Sequence, residues 1–175
     1  RKLGLMLLAC VAAPAAADDI VQDFDQITVA LSPRTPQQMS AFYEARGFGP
    51  EMIDVLGKEC FITVLIRNKS DDILWLDLSR WTFSTADGAV VRRDRTHWRE
   101  RWAAMQIPPA HQSTFRWTLL PEQLDFRPGE QEGGNIILPR LGKPVDITAR
   151  FDAGRDRSGK PVTVEFRQVE CAEDP

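Results

Sequence analysis

Cys60-Phe61-Ile62-Thr63-Val64-Leu65-Ile66-Arg67, the polar turn Asn68-Lys69-Ser70-Asp71-Asp72, and then Ile73-Leu74-Trp75-Leu76-Asp77-Leu78 form the stretch whose reading decides the fold. The first run is apolar on both faces, as a central strand covered on two sides would be. The residues between the runs bond to their own backbone and favour a turn. The pattern is that of two strands joined by a short connection.

Downstream, Trp81 to Ser84 reads as a strand leading into the hairpin signal Asp87-Gly88, with Ala89 to Arg92 returning. Trp98, Trp102 and Met105 fall at i, i+4 and i+7, which predicts a short helix near 95–105 that Pro108-Pro109 ends. Ser113 to Leu119 alternates again and predicts a strand with Phe115, Trp117 and Leu119 inward and Arg116 outward. Pro121 to Asn135 reads as a long Pro/Gly/Glu-rich connection, mobile or functional. Val145, Ile147, Ala149 and Phe151, and then Val162, Val164 and Phe166, give two more half-buried strands. Upstream, Ile27, Val29 and Leu31 mark another. Thr35-Pro36-Gln37-Gln38 is a capping box with proline at the first helical position, and Gly47 marks the stop of that helix. Pro50 to Leu56, closed by Gly57, predicts a second helix, so residues 36–57 form a two-helix insert.

Seven or eight short strands without regular strand–helix alternation predict a mainly β fold: two packed antiparallel sheets with a two-helix insert at about 36–57 and a short helix near 95–105. Over residues 60–120 the succession of strand, Asn68-Lys69-Ser70-Asp71 turn, strand, Asp87-Gly88 hairpin and tryptophan-containing segment resembles the immunoglobulin-like β-sandwich modules of exported bacterial proteins, including BsuPI-type proteinase-inhibitor domains. The resemblance implies a binding or accessory module; the helical insert departs from it, and no inhibitory residue carries over.

Arg1 to Ala17 reads as an export signal: Arg1-Lys2 as basic start, Leu3 to Ala13 as apolar segment, Pro14 as breaker, and cleavage expected before Asp18. The expected organisation is a signal peptide at 1–17 and one β-sandwich domain at 18–175, periplasmic or secreted. The apolar run is far shorter than the roughly twenty residues that span a bilayer. A rival reading treats Leu7-Leu8-Ala9-Cys10 as a lipobox-like segment with Cys10 acylated. Cleavage leaves Cys60 and Cys171, which predicts one disulfide in an oxidising compartment. With 22 basic and 25 acidic residues, the 175-residue chain has a net charge of −3, which argues against a general nucleic-acid binder.

The most unusual composition is Arg92-Arg93-Asp94-Arg95-Thr96-His97-Trp98-Arg99-Glu100-Arg101-Trp102. Arg92, Arg93, Arg95, Arg99 and Arg101 with Trp98 and Trp102 make a cationic, aromatic segment suited to an anionic partner, with Trp98 or Trp102 stacking on it. The competing reading places the Trp98/Trp102/Met105 face against the end of the sandwich. Metal binding has weak support, since His97, His111, Met39, Met52 and Met105 show no ligand spacing; a copper carrier is the alternative they leave open. Asp152 to Gly159 lacks the alternating acids of a calcium loop and reads as a solvated hairpin loop. No catalytic motif occurs, and the carboxylate pairs Asp71/Asp72 and Glu130/Glu132 sit in polar turns, so a carbohydrate-active hydrolase is the remaining enzymatic alternative. The expectation is a non-catalytic accessory module of the cell envelope with no cofactor, whose partner is a protein or an anionic envelope component.

Overall fold

A computed structural model describes residues 19–175; the export signal and the Cys10 lipobox reading lie outside the described residues. In chain order the strands are β1 (Ile20–Asp23), β2 (Ile27–Arg34), β3 (Glu59–Asn68), β4 (Leu74–Asp77), β5 (Thr82–Thr85), β6 (Gly88–Ala89), β7 (Gln123–Phe126), β8 (Gln131–Pro139), β9 (Val145–Ala153) and β10 (Val162–Val169). The helices are α1 (Pro36–Glu44), α2 (Pro50–Leu56), α3 (Arg95–Ala104) and α4 (Pro109–Thr118).

The two sheets are antiparallel. One runs β1-β2-β3-β8; the other runs β6-β5-β9-β4-β7, with β10 on β9. Strands β4 and β5 share one edge of β9, Leu76 facing Phe151 and Phe83 facing Ile147, because the 3-10 turn Leu78–Arg80 kinks what would be one long strand. The inner faces meet in a core of Ile62, Val64 and Ile66 from β3 against Leu76, Ile147 and Phe151 from the other sheet. The predicted β-sandwich is the observed architecture. The Asp87-Gly88 hairpin is present, with Thr85 facing Gly88 across a two-residue loop.

The apolar character of both faces of β3 has a direct explanation. Ile62, Val64 and Ile66 point between the sheets, while Phe61 points the other way into a second buried cluster with Ile137 of β8. That cluster is closed by the helices. Tyr43 of α1, Met52 of α2, Trp98 and Trp102 of α3 and Phe115 of α4 all pack into it. The predicted insert is therefore half of a four-helix cap. Thr35 accepts from the Gln38 backbone N–H and Gln38 accepts from the Thr35 N–H, completing the capping box. Asp94 caps α3 through His97 N–H at 2.8 Å.

Two expectations fail here. The strand predicted at 113–119 is α4: Pro109 occupies the first helical turn instead of only ending the preceding helix, and Phe115 on the helix and Leu119 just past its end pack into the same cluster. Trp117, expected inward, is 81% exposed. The connection predicted from Pro121 to Asn135 contains β7, which pairs with β4, and the start of β8, where Gly133 and Gly134 lie inside a strand.

The predicted disulfide joins Cys60 in β3 to Cys171 beyond β10, so it links the two sheets across 111 residues with an S–S distance of 2.05 Å. The tail it anchors is also held by Arg140, which donates to Ala172 O at 3.1 Å and pairs with Glu173 at 2.6 Å.

Asn68 holds the other end of the sandwich. Fully buried at the close of β3, it donates from Nδ2 to Asp72 O (2.8 Å) and Phe126 O (2.9 Å) and accepts at Oδ1 from Ser70 N–H and Oγ–H. The amide thus ties the turn read from the sequence to β7 in the opposite sheet. Replacing Asn68 by Ala removes its bonds to the Asp72 and Phe126 carbonyls and those it accepts from Ser70, each worth about 0.5–1.5 kcal/mol. A loss of roughly 3 kcal/mol in urea unfolding is expected, and a loss below about 1 kcal/mol would show that the amide does not organise the turn.

Candidate binding site: the α3–α4 cleft

The arginine-rich segment divides into two populations. Arg92 makes a two-pronged pair with Glu122 at 3.1 and 2.5 Å, and Glu122 also accepts from the Arg95 backbone N–H. Arg93 pairs with Glu59 at 3.3 Å and donates its backbone N–H to Ile137 O. These two cations fasten the entry of α3 to the sandwich. Arg95 and Arg99, one turn apart on α3, instead line a cleft of about 520 Å³ between α3 and α4, joined there by Arg116 of α4. Arg101 does not line it. No ion pair among the described residues engages Arg95, Arg99 or Arg116.

Trp98 and Trp102 are 1% exposed and stack on each other at 5.0 Å, with Phe115 packed against both. The expectation that they stack on a partner is corrected by their burial: an indole enclosed by its own core presents no face outward. They form the back wall of the cleft instead. Sequence reasoning missed Arg116, because a strand at 113–119 gave no reason to place it beside α3.

The cleft has a second property. Trp98 Nε1, Trp102 Nε1 and Arg95 Nε are buried side-chain N–H groups without a hydrogen-bond partner, three of the six such groups found among the described residues. Each is a donor with no accepting capacity. No acidic side chain lines the cleft. Its side-chain acceptors are the neutral Gln112 and Ser113, and no carboxylate balances the guanidinium groups of Arg95, Arg99 and Arg116.

The metal candidates do not converge. Met39 and Met52 are in the helical core, and His111 packs on Phe48. His97 sits edge-on against Trp98, and burial, reinforced by the Arg93 charge, holds its imidazole below its usual pKa. Among the described residues no three His, Cys, Asp or Glu side chains are grouped as a metal site, and no helix is long and apolar enough to cross a membrane. Asp152 is buried at the end of β9 and paired with Arg80, while Asp156 in the following loop accepts from Ser158.

On the other side of α4, an open groove of about 1000 Å³ runs over the outer face of the β1-β2-β3-β8 sheet. The cap covers only the end of that face, where Phe61 and Ile137 lie. Beyond it the rows on this face are Asn135–Thr63–Ser32 and Gly133–Leu65–Ala30, which form the groove floor between α1 and α4.

No protein-family model and no curated protein matches the sequence. Among solved structures, that of ycdA, a candidate lipoprotein from Bacillus subtilis, is similar to this chain with a TM-score of 0.44 and 12% sequence identity, covering 86% of this chain and 39% of that one. The chain thus spans well under half of that protein's length, and a likeness at this level carries no functional assignment.

Proposed function

We propose that the chain is a non-catalytic binding module of the bacterial cell envelope that captures an anionic group in the α3–α4 cleft. The observation that carries this reading is the convergence of Arg95, Arg99 and Arg116, in no ion pair among the described residues, on one cleft whose wall also holds three buried N–H donors without a partner. A buried donor left unpaired costs about 1–3 kcal/mol, and an oxyanion that accepts from it removes that cost. A water can accept from such donors as well, but only an anion also meets the surrounding guanidinium charge. The envelope address is supported by the basic and then apolar N-terminal sequence and by a disulfide joining β3 to the segment beyond β10, chemistry suited to an oxidising compartment.

Isothermal titration with two probes, inorganic pyrophosphate and citrate, tests the reading. Arg99 and Arg116 are exposed on helix surfaces, so an Arg99→Ala/Arg116→Ala variant should fold with an unchanged melting temperature and bind at least tenfold more weakly. Arg101→Ala, off the cleft, should bind as the wild type does. Equal weakening in the Arg101→Ala variant would mean diffuse surface charge, and unchanged binding in the double variant would refute the site.

A further inference from the structure

The groove on the far side of α4 is a different chemical environment. Its floor and walls are rich in neutral hydroxyl and amide groups, among them Ser32, Thr63, Thr114, Thr118 and Asn135. Several are held in place by one another: Arg34 Nε donates to Thr63 Oγ1 (3.0 Å), which donates to Asn135 Oδ1 (2.8 Å), and Tyr43 OH meets Thr118 Oγ1 at 2.7 Å. Burial pushes the Tyr43 phenol up to about 12, so it stays a neutral hydroxyl in this lattice. The floor is bonded into β2, β3, β8, α1 and α4 before any ligand arrives, which lowers the ordering cost of binding.

Over this floor stands Trp117. Its 81% exposure is the largest of any bulky apolar side chain among the described residues, and no aromatic neighbour covers it. Leu65, 45% exposed, adds apolar surface to the floor, and Gly133 and Ala30 beside it leave the sheet surface low. Arg34 and Arg46 supply two cations that make no ion pair among the described residues, although the Arg46 guanidinium lies 3.5 Å over the Phe42 ring. The acid in the lining, Asp19, is bonded to the Ser32 hydroxyl.

We infer that this groove binds an acidic oligosaccharide, a sugar ring lying on the Trp117 indole, its hydroxyls on the hydroxyl and amide floor and its carboxylate near Arg34 and Arg46. Competing occupants fit less well. An acyl chain would cover this polar floor and the two guanidinium groups while offering them no hydrogen bond. A peptide strand adds to a sheet edge, whereas the hydroxyl and amide groups here lie across the face of β2, β3 and β8. A polyphosphate backbone would call for more than two cations. A pyranose combines an apolar C–H face with rim hydroxyls that both donate and accept, which matches an exposed indole beside neutral polar groups.

The test uses the full chain and three probes: trigalacturonate, the neutral galactose trisaccharide, and a leucine-rich hexapeptide. Trigalacturonate should perturb the Trp117 indole N–H resonance saturably. Trp117→Ala should weaken its binding at least tenfold with an unchanged melting temperature, and Arg34→Gln should weaken trigalacturonate more than the neutral sugar. The Arg99→Ala/Arg116→Ala variant should bind it normally, which separates this site from the α3–α4 cleft. Absence of a saturable shift at millimolar trigalacturonate, preference for the hexapeptide, or full binding by Trp117→Ala would each overturn the proposal.

Discussion

Replacing Cys60 and Cys171 together by alanine is expected to remove about 4–5 kcal/mol of stability, because the bridge closes a loop of 111 residues and the unfolded chain regains that freedom when it is cut. For a domain of this size the melting temperature should fall by roughly 10–15 °C. The bridge couples the sheets at their C-terminal end, where no backbone ladder crosses from one to the other. Reducing the wild-type protein with dithiothreitol should reproduce the variant's melting curve. A fall of only about 3 °C or less would show that the tail is held by its polar contacts, Arg140 with Ala172 and Glu173 and the Gln37 backbone N–H with Asp174, and that the sulfurs add little.

Trp98→Ala should be nearly as damaging, at about 3–5 kcal/mol. The indole is buried among Trp102, Phe115 and the rest of the helical cluster, and its removal opens a void that helices tied to the sandwich at both ends cannot close. Chemical denaturation of Trp98→Ala beside Trp117→Ala gives the comparison. The second variant removes an exposed side chain and should stay within about 0.5 kcal/mol of the wild type. Equal stabilities would contradict the placement of α3 over the sheet. They would return Trp98 to the surface role that composition alone suggested.

The difference between those two tryptophans shows where sequence reasoning succeeds. Trp98 and Trp102 lie four residues apart behind an Asp94 cap, so the helical period and the start signal agree. In Phe115-Arg116-Trp117-Thr118-Leu119 the two periods conflict. Alternation puts Trp117 inside, whereas a helix puts Phe115 and Leu119 together and Trp117 opposite, and only packing against α3 decides. Gly133-Gly134 misled for a related reason. Glycine weakens a strand by propensity, yet a Cβ on Gly134 would stand 2.5 Å from the backbone nitrogen of Leu120, whose N–H bonds to Asn135 O as the chain crosses β8. That crossing is a tertiary event with no local trace.

The same limit applied to the candidate site. The density of arginine in 92–101 was evident, and so was its suitability for anions. Which arginines remain available was not, because Glu59 and Glu122, the partners that take Arg93 and Arg92, lie about thirty residues away on either side. Strand alternation, the capping box, the Asp87-Gly88 hairpin and the cysteine pair were legible because each is set by neighbours in sequence or by simple counting. The groove beside Trp117 was not, since its floor is assembled from three strands.

The most direct measurement is a 15N-resolved NMR titration of the wild-type indole N–H groups with pyrophosphate. If the cleft accepts an oxyanion, the Trp98 and Trp102 resonances should move downfield and saturate together, while Trp75, whose Nε1–H is already bonded to Gly154 O at 2.7 Å, stays in place. Stationary Trp98 and Trp102 signals at saturating pyrophosphate, or equal movement of all the indoles, would contradict it.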